Sequence, residues 1–352
     1  MTLRGKKAHI SIAAFLLIFC ALLCVATFYD LQISRIMTRF SLREGEYYTA
    51  DLFANFFEAA GMLPRYLMRA FSVIAVGWAF VKSVPQKYLR VIVLVIAACM
   101  ATYFLSGGVR DLIFYPMRHA IGENAEAAAR TIAAMSPTIY LISYFCAGAI
   151  VLAVLFGTRN IPLGTWVKLT RFALVYFLMD ILSGSLVSFL KGYVDRVRFR
   201  SMNSVYGQSV GGFSLYTRWY EVTDHAALMR ATPLSDYTDA FRSFPSGHTL
   251  AAASSYGLIL LIDCLEIREK RTRILLWALP IAWTALTAMG RIVAGAHFMS
   301  DVLFGGTIPF VIMMLLREGF LRRFATVKEM FPRGKKTFVM IEKNQNNGDN
   351  DL

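Results

Sequence analysis

Apolar positions along the chain gather into eight runs separated by polar punctuation. Segments 10–28, 91–109, 137–158, 249–262, 274–290 and 302–316 contain no charged residue. Two more runs are less clean: 71–81, bounded by Arg69 and Lys82, and 172–190, interrupted by Asp180. None alternates with the period of two that marks a half-buried strand. About 20 apolar residues cross a bilayer as a helix, so the pattern predicts an all-α integral membrane protein with about eight transmembrane helices. The first run follows "MTLRGKK" and reads as an uncleaved anchor.

Lysine and arginine orient the bundle. With the amino terminus cytoplasmic, connections 82–90, 157–171 and 264–273 are cytoplasmic too, and they hold ten Lys/Arg in 34 residues. The basic tail, with Arg322, Arg323, Lys328, Arg333, Lys335 and Lys336, falls on that side as well. Both termini are therefore expected inside, and connections 30–66, 108–136 and 191–247 outside.

Composition agrees. Hydrophobic residues make up 57% of the 352 positions and charged ones 17%, against about 25% charged in ordinary soluble domains. The net charge of +14 is accounted for by the inner-face signal and a tail suited to anionic lipid. No basic stretch interleaves with exposed aromatics, which argues against nucleic acid as a partner. Cys20, Cys24, Cys99, Cys146 and Cys264 lack CxxC spacing and indicate neither a disulfide framework nor a zinc site. The run "ENAEAAARTIAAM" reads as amphipathic and interface-lying, and the closing "KNQNNGDNDL" as disordered. Trp219, Tyr216 and Tyr220 fit an aromatic belt.

Three short segments, distant in sequence, meet at the outer face in this topology. In "KGYVDRVRFR", Lys191 ends the fifth run and Arg198 follows. Pro245-Ser246-Gly247-His248 opens the sixth run, and "GRIVAGAHFMSD" joins the last two, carrying Arg291, His297 and Asp301. Three cations suit a phosphate, arginine by bidentate contact and lysine as a point charge. Ser246 and Gly247 would present backbone N–H groups to an anion at a helix start. If the eighth helix begins near His297, Asp301 lies on the same face. It can then accept the Nδ1 proton and leave Nε2 as a nucleophile. His248 would protonate the leaving group.

These residues resemble the three-part signature of the type-2 phosphatidic acid phosphatase family, membrane relatives of vanadium haloperoxidases and glucose-6-phosphatase. That signature is Lys-x6-Arg-Pro, Pro-Ser-Gly-His and Ser-Arg-x5-His-x3-Asp. The matches are Lys191 and Arg198; Pro245, Ser246, Gly247 and His248; Arg291, His297 and Asp301. Phe199 stands where the family has proline, which should affect loop rigidity. Gly290 stands where it has serine, removing a hydroxyl that could bind phosphate. The resemblance covers about half the chain. It implies a six-helix phosphatase core over 86–316, an added two-span extension over 1–85, and a cytoplasmic tail over 317–352. It further implies an outer-face site, a phosphohistidine intermediate, no cofactor and no metal.

The expected activity is hydrolysis of a lipid phosphate or diphosphate held in the bilayer. Polyprenyl diphosphate, lipid A phosphate and phosphatidic acid are candidate substrates. A lipid phosphotransferase, a non-enzymatic anion-binding transporter and a metal hydrolase built on His248, His297 and Asp301 are the alternatives. The sequence gives no indication of oligomeric state.

Overall fold

The structure is a computed structural model and describes residues 3–120, 125–224 and 240–330. Its long helices are α1 (Leu3–Thr38), α3 (Leu63–Ser83), α4 (Lys87–Ala120), α5 (Ala125–Thr158) and α6 (Leu163–Val194), with a short α2 (Leu52–Ala60) between the first two. Two small helices follow, α7 (Phe199–Asn203) and α8 (Val205–Ser209). The second half continues with α9 (Gly247–Ala253), α10 (Gly257–Cys264), α11 (Lys270–Val293), α12 (Met299–Leu316) and α13 (Ala325–Met330). Among the described residues there is no strand, only an isolated bridge between Gly45 and Ser204. The tail from residue 331 and residues 225–239 of the long outer connection lie outside the described residues.

Among the described residues, six helices are long and apolar enough to cross a membrane: His9–Thr38, Lys87–Met117, Ala133–Thr158, Leu163–Asn203, Lys270–Val293 and Met299–Leu321. The protein is an all-α, multi-pass membrane protein. The other two expected spans are helical but of a different kind. The α9–α10 pair is broken by the 3-10 turn Ser254–Tyr256, and α3 carries Arg65, Arg69 and Lys82. Both lie inward: Ala251, Ala252 and Ala253 are fully buried, as are Ser72 and Ala75 of α3. Helices α4 and α5 instead expose Val95, Ile96, Leu141 and Phe145, as lipid-facing surfaces must.

Asp180, the charge that interrupts the fifth run, finds its partners on α3. Arg65 Nε and Arg69 Nε, one helical turn apart, each lie 2.8 Å from its carboxylate. Around this ion pair, α6 contributes Phe172, Tyr176 and Met179 to a core completed by Met68, Ile259, Leu260 and Met313. The "ENAEAAARTIAAM" run is not a separate interfacial helix, because Ala125 already begins α5.

Close packing at one end of the bundle sets up the site. A side chain on Gly305 of α12 would come within 2.6 Å of the Ser246 carbonyl. Glycine there lets the Pro-Ser-Gly-His turn rest directly on α12. Phe199 packs on Phe213, with ring centroids 5.0 Å apart, in a cluster with Leu42, Met202, Phe241 and Phe298. The family's proline is thus replaced by a core ring that anchors the segment beyond Arg198.

Candidate active site

The structure brings Lys191, Arg198, Ser246, Gly247, His248, Arg291, His297 and Asp301 to one end of the bundle. Lys191 Nζ donates to the Arg242 carbonyl at 2.7 Å, and Arg198 Nη2 reaches the same oxygen at 3.4 Å. A Cβ built on Gly247 would sit 3.6 Å from Lys191 Cε, so this cation lies against the turn that begins α9. Arg291, the last basic residue of α11, is fully buried.

His297 is fixed differently from the sequence expectation. Its Nδ1 lies 2.7 Å from the Ser243 carbonyl and 3.7 Å from Asp301 Oδ2. A carbonyl only accepts, so Nδ1 carries the proton and Nε2 the lone pair. The His297–Asp301 pair does not share a helical face, because α12 begins at Met299 and leaves His297 in the preceding turn. Asp301 points back instead, accepting from the Phe298 N–H at 2.8 Å and from the Ser243 hydroxyl. It therefore braces Ser243, whose carbonyl holds the histidine. His297 Nε2 has no hydrogen-bond partner among the described residues.

Ser246 also departs from the expected anion cradle. Its N–H donates to the Asp301 carbonyl at 2.9 Å, and its hydroxyl caps α9 by accepting from the Thr249 N–H. Both groups are committed to the fold, and Gly247 remains as the close-approach position.

Behind Asp301 lies a buried ion network that sequence reasoning missed. Arg196 Nη1 donates to Asp301 Oδ1 at 2.7 Å and to Ser300 Oγ at 2.8 Å, while Nη2 lies 3.1 Å from Asp30 of α1. Arg196 Nε donates to the Thr217 carbonyl, and its guanidinium sits 4.1 Å from the centre of the Phe298 ring. Asp30 and Arg196 are essentially inaccessible to solvent. Trp219 is likewise no belt residue: it donates to Thr27 at 3.0 Å and packs on Phe304 at 5.1 Å.

Two further residues reach the site from the first half of the chain. Glu58 of α2 places Oε1 3.0 Å from Arg291 Nη1. Tyr115 of α4 packs edge-on to the His248 ring at 5.5 Å. Both imidazoles are held neutral, well below their ordinary range. Burial is the main cause, reinforced by Arg291 beside His248 and by Arg198 and Lys191 beside His297. A neutral His297 with a proton fixed on Nδ1 is competent as a nucleophile through Nε2.

This arrangement of two buried histidines and three cations can be set beside the comparison with known families. Residues 172–324 match the PAP2 superfamily. The matched segment is that of the type-2 phosphatidic acid phosphatases, and it contains all nine motif positions read from the sequence. PAP2 proteins are generally phosphatases, which supports a phosphoric ester hydrolase here. No curated protein and no solved structure is significantly similar to the chain. Asp30, Glu58 and Tyr115 lie outside the PAP2 segment.

Proposed function

We propose that the protein is a metal-independent phosphatase that hydrolyses a lipid phosphate or diphosphate through a phosphohistidine on His297. The observation that carries this reading is the fixed His297 ring, with Nδ1 on the Ser243 carbonyl and Nε2 unpartnered among the described residues. Lys191, Arg198 and Arg291 bind and neutralise the phosphate oxygens, and Gly247 allows close approach. Nε2 attacks phosphorus as the bond to the leaving oxygen breaks, and His248 gives that oxygen a proton. Water then attacks the phosphohistidine, losing its proton to His248, and the N–P bond breaks to release inorganic phosphate. A bound phosphate dianion raises the affinity of His248 for the proton it must donate. Three clustered cations do the electrostatic work assigned to metals elsewhere, and they would repel a divalent ion.

An apolar cavity of about 640 Å³ supports a lipid substrate. It is lined by Leu67, Phe71, Val151, Leu258, Leu279 and Trp283 among others. Trp283 precedes Arg291 by eight residues on α11, about 12 Å of helix. A hydrocarbon tail can therefore lie in the bundle while its headgroup meets the cations. The basic connections 82–90, 157–171 and 264–273 join the helix ends opposite the site. That supports a site on the outer face of the cell membrane, with both termini cytoplasmic. The expected division into a 1–85 extension and an 86–316 core remains part of this proposal.

The test is phosphate release by detergent-purified protein from a panel of lipid phosphates and diphosphates in the presence of EDTA. Release is expected, and His297→Ala should abolish it while leaving the protein folded. A chelator-sensitive activity, or one that His297→Ala retains, would overturn the mechanism. A second phosphorylated lipid in place of inorganic phosphate would point to transfer.

A further inference from the structure

Helix α2 begins with Asp51 as its N-cap, whose carboxylate accepts from the Ala54 N–H at 2.8 Å. It lies outside the PAP2 segment yet packs directly on α11, the helix that delivers Arg291. Trp283 Nε1 donates to the Gly61 carbonyl at 3.3 Å, and its ring meets Phe57 at 5.5 Å. The two helices also approach closely at Gly290, where an added Cβ would stand 2.8 Å from Phe57 Cβ. Gly290, one of the two departures from the family motif, is therefore a position that admits α2. One residue after Phe57, Glu58 is 2% exposed and lies 3.0 Å from Arg291 Nη1 and 3.7 Å from Arg200 Nη1.

We propose that Glu58 is a positioning residue of the phosphatase site, delivered by α2 through the Gly290 contact to aim Arg291 at the phosphate and to supply the counter-charge beside His248. The inference rests on the phosphatase reading above. A buried carboxylate between two guanidiniums restrains both, and removing it leaves uncompensated cations. The contact is an ion pair at Nη1, and Nε, Nη1 and Nη2 of Arg291 all lack a hydrogen-bond partner among the described residues, so the guanidinium keeps its donors for an anion.

The charged and titratable groups that act on His248 are Arg291 from α11, Glu58 from α2, His297 and Arg198, while Tyr115 from α4 packs on its ring. Of the charged groups among them, only the Glu58 carboxylate favours the imidazolium. Losing it lowers the affinity of His248 for its proton. The alkaline limb of the rate profile, where the general acid deprotonates, then moves to lower pH.

The test measures kcat and KM against pH for the full-length protein, Glu58→Gln and Glu58→Asp, using whichever lipid phosphate the wild type hydrolyses. Glu58→Gln should lower kcat/KM about 10- to 100-fold, the order expected on removing a buried charged partner. It should also move the alkaline limb to lower pH. Glu58→Asp keeps the charge but shortens the reach, so KM should rise while the limb stays in place. An active wild type with unchanged values in Glu58→Gln would overturn the inference, and so would a limb shifted equally by Glu58→Asp. Should Glu58→Gln fail to fold, an unchanged KM in Glu58→Asp overturns it. An inactive wild type instead refutes the phosphatase reading itself.

Discussion

Restoring the family's serine at position 290 should damage this protein. The Cβ that serine brings would lie 2.8 Å from Phe57 Cβ, 3.6 Å from Phe57 Cγ and 3.8 Å from Ala54 Cα. Carbon atoms in good contact are about 3.5–4.0 Å apart, so the two helices must separate by about 1 Å. Helix α11 is held on its other side by α9, α10 and α12, which leaves the nine-residue α2 as the element that yields. Overpacking of this kind costs about 1–3 kcal/mol.

The same displacement would stretch the 3.0 Å Glu58–Arg291 contact to about 4 Å, the outer limit of an ion pair. Gly290→Ser should therefore lose stability and kcat/KM together. Phe57→Ala alone opens a hole, at about 3–5 kcal/mol for a buried phenylalanine. In the double variant the serine fills part of that hole, so its loss should be smaller than the sum of the single losses. Unfolding in detergent, paired with phosphate release for all four proteins, measures this. A Gly290→Ser protein with wild-type stability and activity, or a double variant equal to the sum, would refute the packing argument.

The pH dependence has a definite sign. Burial, Arg198 and Lys191 hold the folded His297 pKa well below 6.5, so the nucleophile is already neutral at pH 6.5. The acid limb of kcat/KM should lie below that value, and a limb at or above it would contradict the site geometry. The unfolded imidazole takes up a proton near pH 6.5 while the folded one does not, so stability should fall as the pH drops through this value. In the ion network, Arg196→Ala leaves Asp30 and Asp301 buried without their counter-ion. That should cost about 3–5 kcal/mol in an unfolding measurement. Adding Asp30→Asn should recover part of the loss, and no recovery would disconnect α1 from the site.

The helical segments and the motif positions were legible because each is encoded locally. A charge-free run declares a helix, and Lys191, Arg198, Arg291 and His297 sit at fixed short spacings beside span boundaries. The ion partners were not legible, because nothing near Asp180 in the sequence indicates Arg65 and Arg69, nor does anything near Asp301 indicate Asp30. A buried charge reveals that a partner must exist, and only the packing of helices chooses it. Arg196 illustrates the difficulty, since beside Arg198 and Arg200 it looks like one residue of a solvated basic strip. Its guanidinium is nonetheless fully buried between two aspartates.

Glu58 left a fainter trace. In "LFANFFEAA" it falls on the helical face of Ala54 and Phe57, where an acid is out of place unless a cation waits opposite. Gly290 left the complementary trace, a lost hydroxyl in a phosphate motif that keeps all its charged residues and both histidines. Taken alone, each is an oddity with several explanations. A Cβ at position 290 would stand 2.8 Å from Phe57 Cβ, which joins them into one: the bare α11 backbone leaves room for the helix that sets a carboxylate against Arg291.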